Sequence, residues 1–425
     1  MFGKRALTAV AAVGLGGASM LTALAMSGPA GATSNSASAP GVTATTVTVG
    51  QVDDLTAPLP GLFKSAEDGT QAYFNYINSQ GGVNGRKIEL NAQDSAFNSA
   101  QVTSETQNMA KNDFALVGGF SLLDQAQVPV INQTGVPDVA YPLSIQLSNN
   151  PHVYSPSPAT SNAWPEGALK WFKSKYPQAV KHVGILYGTD TPTEIAIQNN
   201  VNATLKALGY DITYTHGITA TTTSFLPDVL KMKSEGVQML YESQLPTQQA
   251  ATLAKELQQE NLKVINVEIA AYAANLPQLA GSAGQGMYFA EPYSLYQGED
   301  ASTTPSVATF DKWVKKVDPG VFSSTEPVSA LYGWTAAQLF TQALKAAGQN
   351  PTRASLTAAL NNVTNFSAND LIAPGNPAKN IPPSCWLLAQ LNNGKIQRIS
   401  PSPKSGYTCN PGGNHAASGW KPQTR

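Results

Sequence analysis

Gly81-Gly82-Val83-Asn84-Gly85-Arg86-Lys87-Ile88-Glu89-Leu90 is the stretch whose reading decides the fold. Ahead of it, Ala66, Gly69, Tyr73, Tyr76 and Ile77 recur at helical spacing, and Ser65 is placed to cap that helix. Gly81 and Gly82 supply the positive φ that ends a helix. Asn84-Gly85 suits a tight turn, and Ile88 and Leu90 alternate as a strand does. The local reading is helix, reversal, strand.

The same alternation extends outward. Strands are expected at 47–52, 87–93, 114–119 and 136–141, with helices at 65–79 and 99–111 and a helical turn within 123–133. Residues 142–162, rich in Pro, Ser and Asn, interrupt the pattern as a crossover between domains would. It restarts with a helix at 164–176. Strands at 182–187, 211–216, 237–242, 263–267 and 286–291 then alternate with helices at 194–208, 225–234 and 247–260. A second irregular crossing at 292–305 precedes helices at 307–317, 327–347 and 352–361. From about Asn369 the chain is rich in Pro and Asn. This order argues for an α/β protein with parallel sheets covered by helices on both faces. Two such units joined by crossings can hinge around a cleft, and sheets of this kind bind ligands beyond the carboxyl ends of their strands.

At 425 residues, two domains are expected. Hydrophobic residues make up 42%, enough for substantial cores, and the net charge of −1 gives no basic footprint for nucleic acid. The N-terminus reads as an export signal. Lys4 and Arg5 precede an uncharged run, 6–26, and Ala30-Gly31-Ala32 is a small-residue cleavage site, so 1–32 is a signal peptide. An uncleaved anchor is the alternative, since 6–26 is long enough to span a membrane, although its glycines count against it. No Cys follows this run for lipid attachment. Residues 33–44 read as a linker.

In an exported chain Cys385 and Cys409 read as a disulfide, with two unrelated thiols as the alternative. His152, His182, His216 and His415 are scattered, and no Cys/His spacing matches a metal site. There is no nucleophile elbow, zincin helix or P-loop. Gly281-Ser282-Ala283-Gly284-Gln285-Gly286 precedes a strand and reads as a turn. Asp53 and Asp54 are adjacent on a strand and point apart, which does not suit a catalytic pair. The missing motifs lower the odds of an enzyme, and no cofactor is implied.

Several segments, in order, resemble the leucine/isoleucine/valine-binding family of type I periplasmic binding proteins. They are the 81–90 run, Gly50-Gln51, Asp94, Ala115-Leu116-Val117-Gly118-Gly119 and Thr134-Gly135-Val136-Pro137. They continue with Phe225-Leu226-Pro227-Asp228-Val229 through Gly236, Leu279-Ala280-Gly281 to Gly286-Met287-Tyr288, and Tyr332-Gly333. The resemblance covers about 47 to 399. It implies the type I periplasmic binding protein fold: two Rossmann-like lobes with parallel sheets joined by hinge crossovers. Residues 45–157 and 293–368 would form lobe one. Residues 158–292 would form lobe two, with 369–425 completing it and carrying the disulfide tail.

It also implies a soluble monomer outside the cytoplasm, periplasmic or on the extracellular face of the membrane, that captures a small molecule and hands it to an ABC permease. A sensory co-receptor on the same fold is the alternative. The family offers a Ser hydroxyl and loop amides to an α-carboxylate. Here that loop reads Phe120-Ser121-Leu122-Leu123-Asp124, with Leu122 where Ser is expected. The next loop reads Tyr141-Pro142-Leu143-Ser144-Ile145. Asp190-Thr191-Pro192-Thr193 puts Pro192 where a ligand-stacking Tyr is expected. Glu268 matches an acid that pairs the ligand's amino group. Candidate ligand contacts are therefore Phe63, Ser121, Leu122, Tyr141, Leu143, Ser144, Asp190, Gln244, Glu268, Tyr272 and Tyr332, with Tyr293 near the same loops. Phe63, Leu122, Leu143 and Ile145 favour apolar surface over a zwitterion, so the solute is either an amino acid or amide, or a more apolar acid. For each apolar or aromatic candidate, ordinary packing is the alternative.

Overall fold

The computed structural model describes residues 39–424 apart from 57–60, 62, 158–162, 243–244, 402–405, 410–412 and 417–419. The leader expected at 1–32 and Gln244 lie outside the described residues. Residues 36–425 belong to one compact unit.

The chain begins β1 (Thr46–Asp53), α1 (Lys64–Ser79), β2 (Lys87–Asp94), α2 (Ser99–Asn112), β3 (Leu116–Val117), α3 (Val128–Thr134), β4 (Asp138–Val139), α4 (Ile145–Ser148) and β5 (Val153–Tyr154). It continues β6 (Ala163–Pro165), α5 (Gly167–Lys175), β7 (Val183–Gly188), α6 (Pro192–Ala207), β8 (Ile212–Ile218), α7 (Leu226–Ser234), β9 (Met239–Glu242), α8 (Thr247–Gln259) and β10 (Ile265–Glu268). It closes with α9 (Leu276–Ala280), β11 (Tyr288–Glu291), α10 (Pro305–Val317), α11 (Val328–Ala346), α12 (Arg353–Leu360), β12 (Cys385–Asn392), β13 (Lys395–Ser400), β14 (Thr408–Cys409) and β15 (Asn414–Ala416).

Among the described residues, the first sheet has the order β2-β1-β3-β4-β5 and is parallel throughout. The second sheet repeats that order as β8-β7-β9-β10-β11, also parallel, and adds β12 and β13 antiparallel at one edge. In such an order, loops diverge at the carboxyl ends of β1 and β3, and of β7 and β9, leaving a crevice there. The expected α/β architecture with two Rossmann-like sheets is what the chain adopts.

After β11 the chain returns to the first sheet, where α11 packs along α1 and against β3 and β4. The two helices approach closely because each offers a glycine. A Cβ at Gly69 would overlap the Ala330 carbonyl, and one at Gly333 would overlap the Ala66 carbonyl. The 81–90 turn locks onto the end of α11. Asn84 adopts φ +50°, and its amide donates to the carbonyls of Gly348 (2.9 Å) and Leu344 (3.3 Å). Arg86 donates to the carbonyls of Gln349 (2.8 Å) and Thr43 (2.7 Å).

Three local expectations are corrected. Ser65 is not the cap of α1: Phe63 occupies the N-cap, and the Ser65 hydroxyl pairs with that of Ser324 at 2.7 Å. Trp164 is not helical, because Ala163–Pro165 pairs with β15 and the Trp164 indole donates to the Tyr241 hydroxyl. The Pro-rich tail supplies two full strands, β12 and β13, held by pairing to a distant part of the chain. Cys385 and Cys409 face each other across β12 and β14 and are bonded.

Candidate functional site

At the carboxyl end of β1, Asp53 and Asp54 are both buried and do different work. Asp53 accepts from the Gln51 amide (2.6 Å) and the Phe120 N–H (2.8 Å). Asp54 accepts from the hydroxyls of Ser95 and Ser121 and from the Leu122 N–H (2.9 Å). Asp124, which follows β3, accepts from the N–H groups of Leu143 (2.6 Å) and Ser144 (3.0 Å) in the loop after β4, while Ser144 caps α4. Burial pushes all three carboxyls up, Asp124 to about 6, and their hydrogen bonds oppose the rise. The donors expected to meet a solute's carboxylate, Ser121 and the amides around Leu122, Leu143 and Ser144, are thus bonded to the protein's own aspartates. An anion there would displace or repel a carboxyl.

Above this network sits an aromatic cluster. Phe63 packs edge-on against Phe120 with centroids 4.5 Å apart, and Phe120 packs against Tyr332 at 5.1 Å. Tyr141 stacks on Tyr332 at 4.1 Å and bonds Thr335 through its hydroxyl (3.1 Å). Leu122 and Leu143 pack against the same group. Five of the sequence candidates, Phe63, Leu122, Tyr141, Leu143 and Tyr332, are therefore brought together, drawn from four separate segments.

From the second sheet, Thr191 caps α6 in a reciprocal box with Glu194. Two residues on, the Thr193 hydroxyl donates to the Leu122 carbonyl at 3.1 Å. Leu143 also packs against the core of the second sheet. The crevices of the two sheets therefore face each other.

Other candidates lie elsewhere. Asp190 is exposed and accepts from the Ala220 N–H at 2.6 Å. Tyr272 packs on Tyr296 and Phe289, with its hydroxyl on Glu299. Glu268 is buried beside Glu242, its register partner on β9. Burial raises both, Glu242 to about 7, and the Glu242 charge raises Glu268 further.

A cavity of about 90 Å³ opens between the second sheet, α5 and Tyr332. Tyr241, Val267 and Ile269 line it, so the alternating residues Glu242 and Glu268 point to the other face of the sheet. Glu291, at the end of β11, lines it together with Tyr293, Trp164 and Trp386. Glu291, Trp164 and Trp386 escape sequence reasoning. Trp164 reads as helix and Trp386 as tail, and only the position of Glu291 at the end of a strand marks it. Among the described residues, no group of three or more His, Cys, Asp or Glu is placed to hold a metal, and no helix is long and apolar enough to cross a membrane.

The profile of a family described as "Periplasmic binding protein" matches residues 46–395. No curated protein matches the sequence. Among solved structures, the chain is similar to a branched chain amino acid ABC transporter protein from Thermus thermophilus with bound valine. That match has TM-score 0.72 and 15% identity, covering 86% of this chain and 97% of that one. It is also similar to an ABC transporter solute binding protein from R. palustris in complex with 4-hydroxybenzoate, with TM-score 0.68 and 18% identity over 86% and 97%. A fatty acid ABC transporter substrate-binding protein from Thermomonospora curvata matches with TM-score 0.66 and 19% identity over 86% and 95%. At these identities the likeness is one of fold.

Proposed function

We propose that this chain, which belongs to the periplasmic binding protein family, works outside the cytoplasm, captures a small organic solute between its two sheets and delivers it to an ABC importer. The observation that carries this reading is the position of Tyr332. It stacks on Tyr141 of a first-sheet loop and also walls the cavity over the second sheet. A solute held there touches both halves, so binding favours the arrangement in which they are together. No bond need be made or broken.

In this reading 45–157 with 293–368 form one lobe and 158–292 with 369–425 the other. Phe63, Leu122, Tyr141, Leu143 and Tyr332 contact solute. Ser121 and Ser144 shape the loops through Asp54 and Asp124. The described neighbours bind valine, 4-hydroxybenzoate or, by description, fatty acid, so the fold accommodates both amino acids and more apolar acids.

The test is a thermal-shift panel of amino acids, amides, aliphatic and aromatic acids, alcohols and phenols. A true ligand raises the midpoint by mass action. If no member shifts it and the protein instead hydrolyses an ester or amide, the reading fails.

A further inference from the structure

Two residues that line the cavity each carry a buried polar atom with no hydrogen-bond partner, Glu291 Oε1 and Trp386 Nε1. Glu291 is 2% exposed and Trp386 4%. Apart from the disulfide-bonded Cys385 the other walls are aromatic or aliphatic, and among the described residues no Lys, Arg or His lines the space. Buried polar groups left unpaired cost free energy, so a site holding two such atoms in an apolar cavity is built for something that pairs them.

Resting on the solute-capture reading above, we infer that this cavity takes an uncharged solute with an apolar or aromatic body and one hydroxyl or carbonyl head, gripped by the Glu291 carboxyl and the Trp386 indole N–H.

The chemistry selects against charged alternatives. A carboxylate would enter without a cation to meet it, and a buried unpaired ion is strongly disfavoured. The first-sheet loops give it no refuge, because the N–H groups of Leu122, Leu143 and Ser144 already serve Asp54 and Asp124. A zwitterionic amino acid meets the same obstacle. An ammonium would require Glu291 to ionise in an apolar space, where desolvation of both ions offsets their attraction. Burial, aided by the nearby Glu326, pushes Glu291 up to about 8. At neutral pH it is a neutral acid that can donate to the solute's head or accept from it. The Tyr293 hydroxyl bonds the same carboxyl and orients it. Tyr241, Tyr332 and Trp164 supply flat apolar surface for the body.

The test is calorimetric titration of the purified protein at pH 7 with 4-methylphenol, benzyl alcohol, benzoate, benzylamine and leucine. The phenol or the alcohol is expected to bind at least about tenfold more tightly than the three charged compounds. Trp386→Phe is expected to weaken that binding about tenfold, while Glu291→Gln, which keeps hydrogen-bonding capacity, weakens it less than Glu291→Ala. The ranking on the wild-type protein requires no variant to fold. If benzoate, benzylamine or leucine binds most tightly, the inference is overturned while solute capture stands. If none of the five binds, the inference is overturned. Solute capture itself falls only if the wider thermal-shift panel is also silent.

Discussion

The Thr193 hydroxyl donates to the Leu122 carbonyl at 3.1 Å, tying the first turn of α6 to the loop after β3 across 71 residues of sequence. It is a direct polar link between the strand-end loops of the two sheets. Removing it by Thr193→Val leaves one carbonyl to water and takes about 1 kcal/mol from the closed arrangement. Solute affinity is expected to fall several-fold and the radius of gyration of the ligand-free protein to rise in small-angle scattering. Unchanged values in both would mean the bond does not hold the sheets together.

The α1–α11 contact sets a second expectation. A methyl group at Gly333 would overlap the Ala66 carbonyl, a backbone atom that cannot swing aside. Gly333→Ala is expected to destabilise by about 2 kcal/mol or more, measured by denaturant unfolding. Gly281→Ala meets no neighbouring atom, and its cost comes from the backbone alone at φ +57°.

Asp138 sets the pH dependence. It is buried, and burial together with the nearby Asp124 pushes its carboxyl up to about 8. In the unfolded chain it titrates near ~3.9. Between these values the folded protein holds more protons than the unfolded one, so stability falls as pH rises through the window. Glu291 and Glu326, each also raised to about 8 by burial, act in the same direction. Asp138→Asn is expected to melt higher than wild type at pH 8 and to match it near pH 4, with the difference growing steadily between. Calorimetric melting across that range checks the sign.

The Cys385–Cys409 bond closes a loop with a sequence separation of 24 and pins the tail to the start of β12. Reducing it releases chain entropy worth about 3 kcal/mol on the loop-closure model. Urea unfolding with and without reductant measures this. Because Cys385 and Trp386 both line the cavity, solute affinity is expected to fall as well.

Features with local determinants are legible in the sequence. The 81–90 run was legible because Gly81, Gly82, Asn84 and Gly85 carry positive φ by their own chemistry, and all four do. Strand order and the tail strands were not legible, since β12 joins the second sheet by pairing with β11, about a hundred residues earlier. Ser65 failed as a cap because its hydroxyl is claimed by Ser324, 259 residues away. The site shows the same division. Phe63, Leu122, Tyr141, Leu143 and Tyr332 could be named singly as candidates, and the fold packs them into one cluster. The orientation of Ser121 was not, because it depends on Asp54, 67 residues distant. Glu268 pointed away for a parity reason: its neighbours Val267 and Ile269 took the cavity face.

In the proposed function the chain binds a small solute reversibly and leaves it unchanged. Calorimetric titration across the full solute panel, with chromatography of the solute afterwards, tests it most directly. Saturable binding of one solute per chain, weakened by Tyr332→Ala, with the solute recovered intact, is the expected result. Absence of saturable binding by every member, or recovery of a converted product, would contradict it.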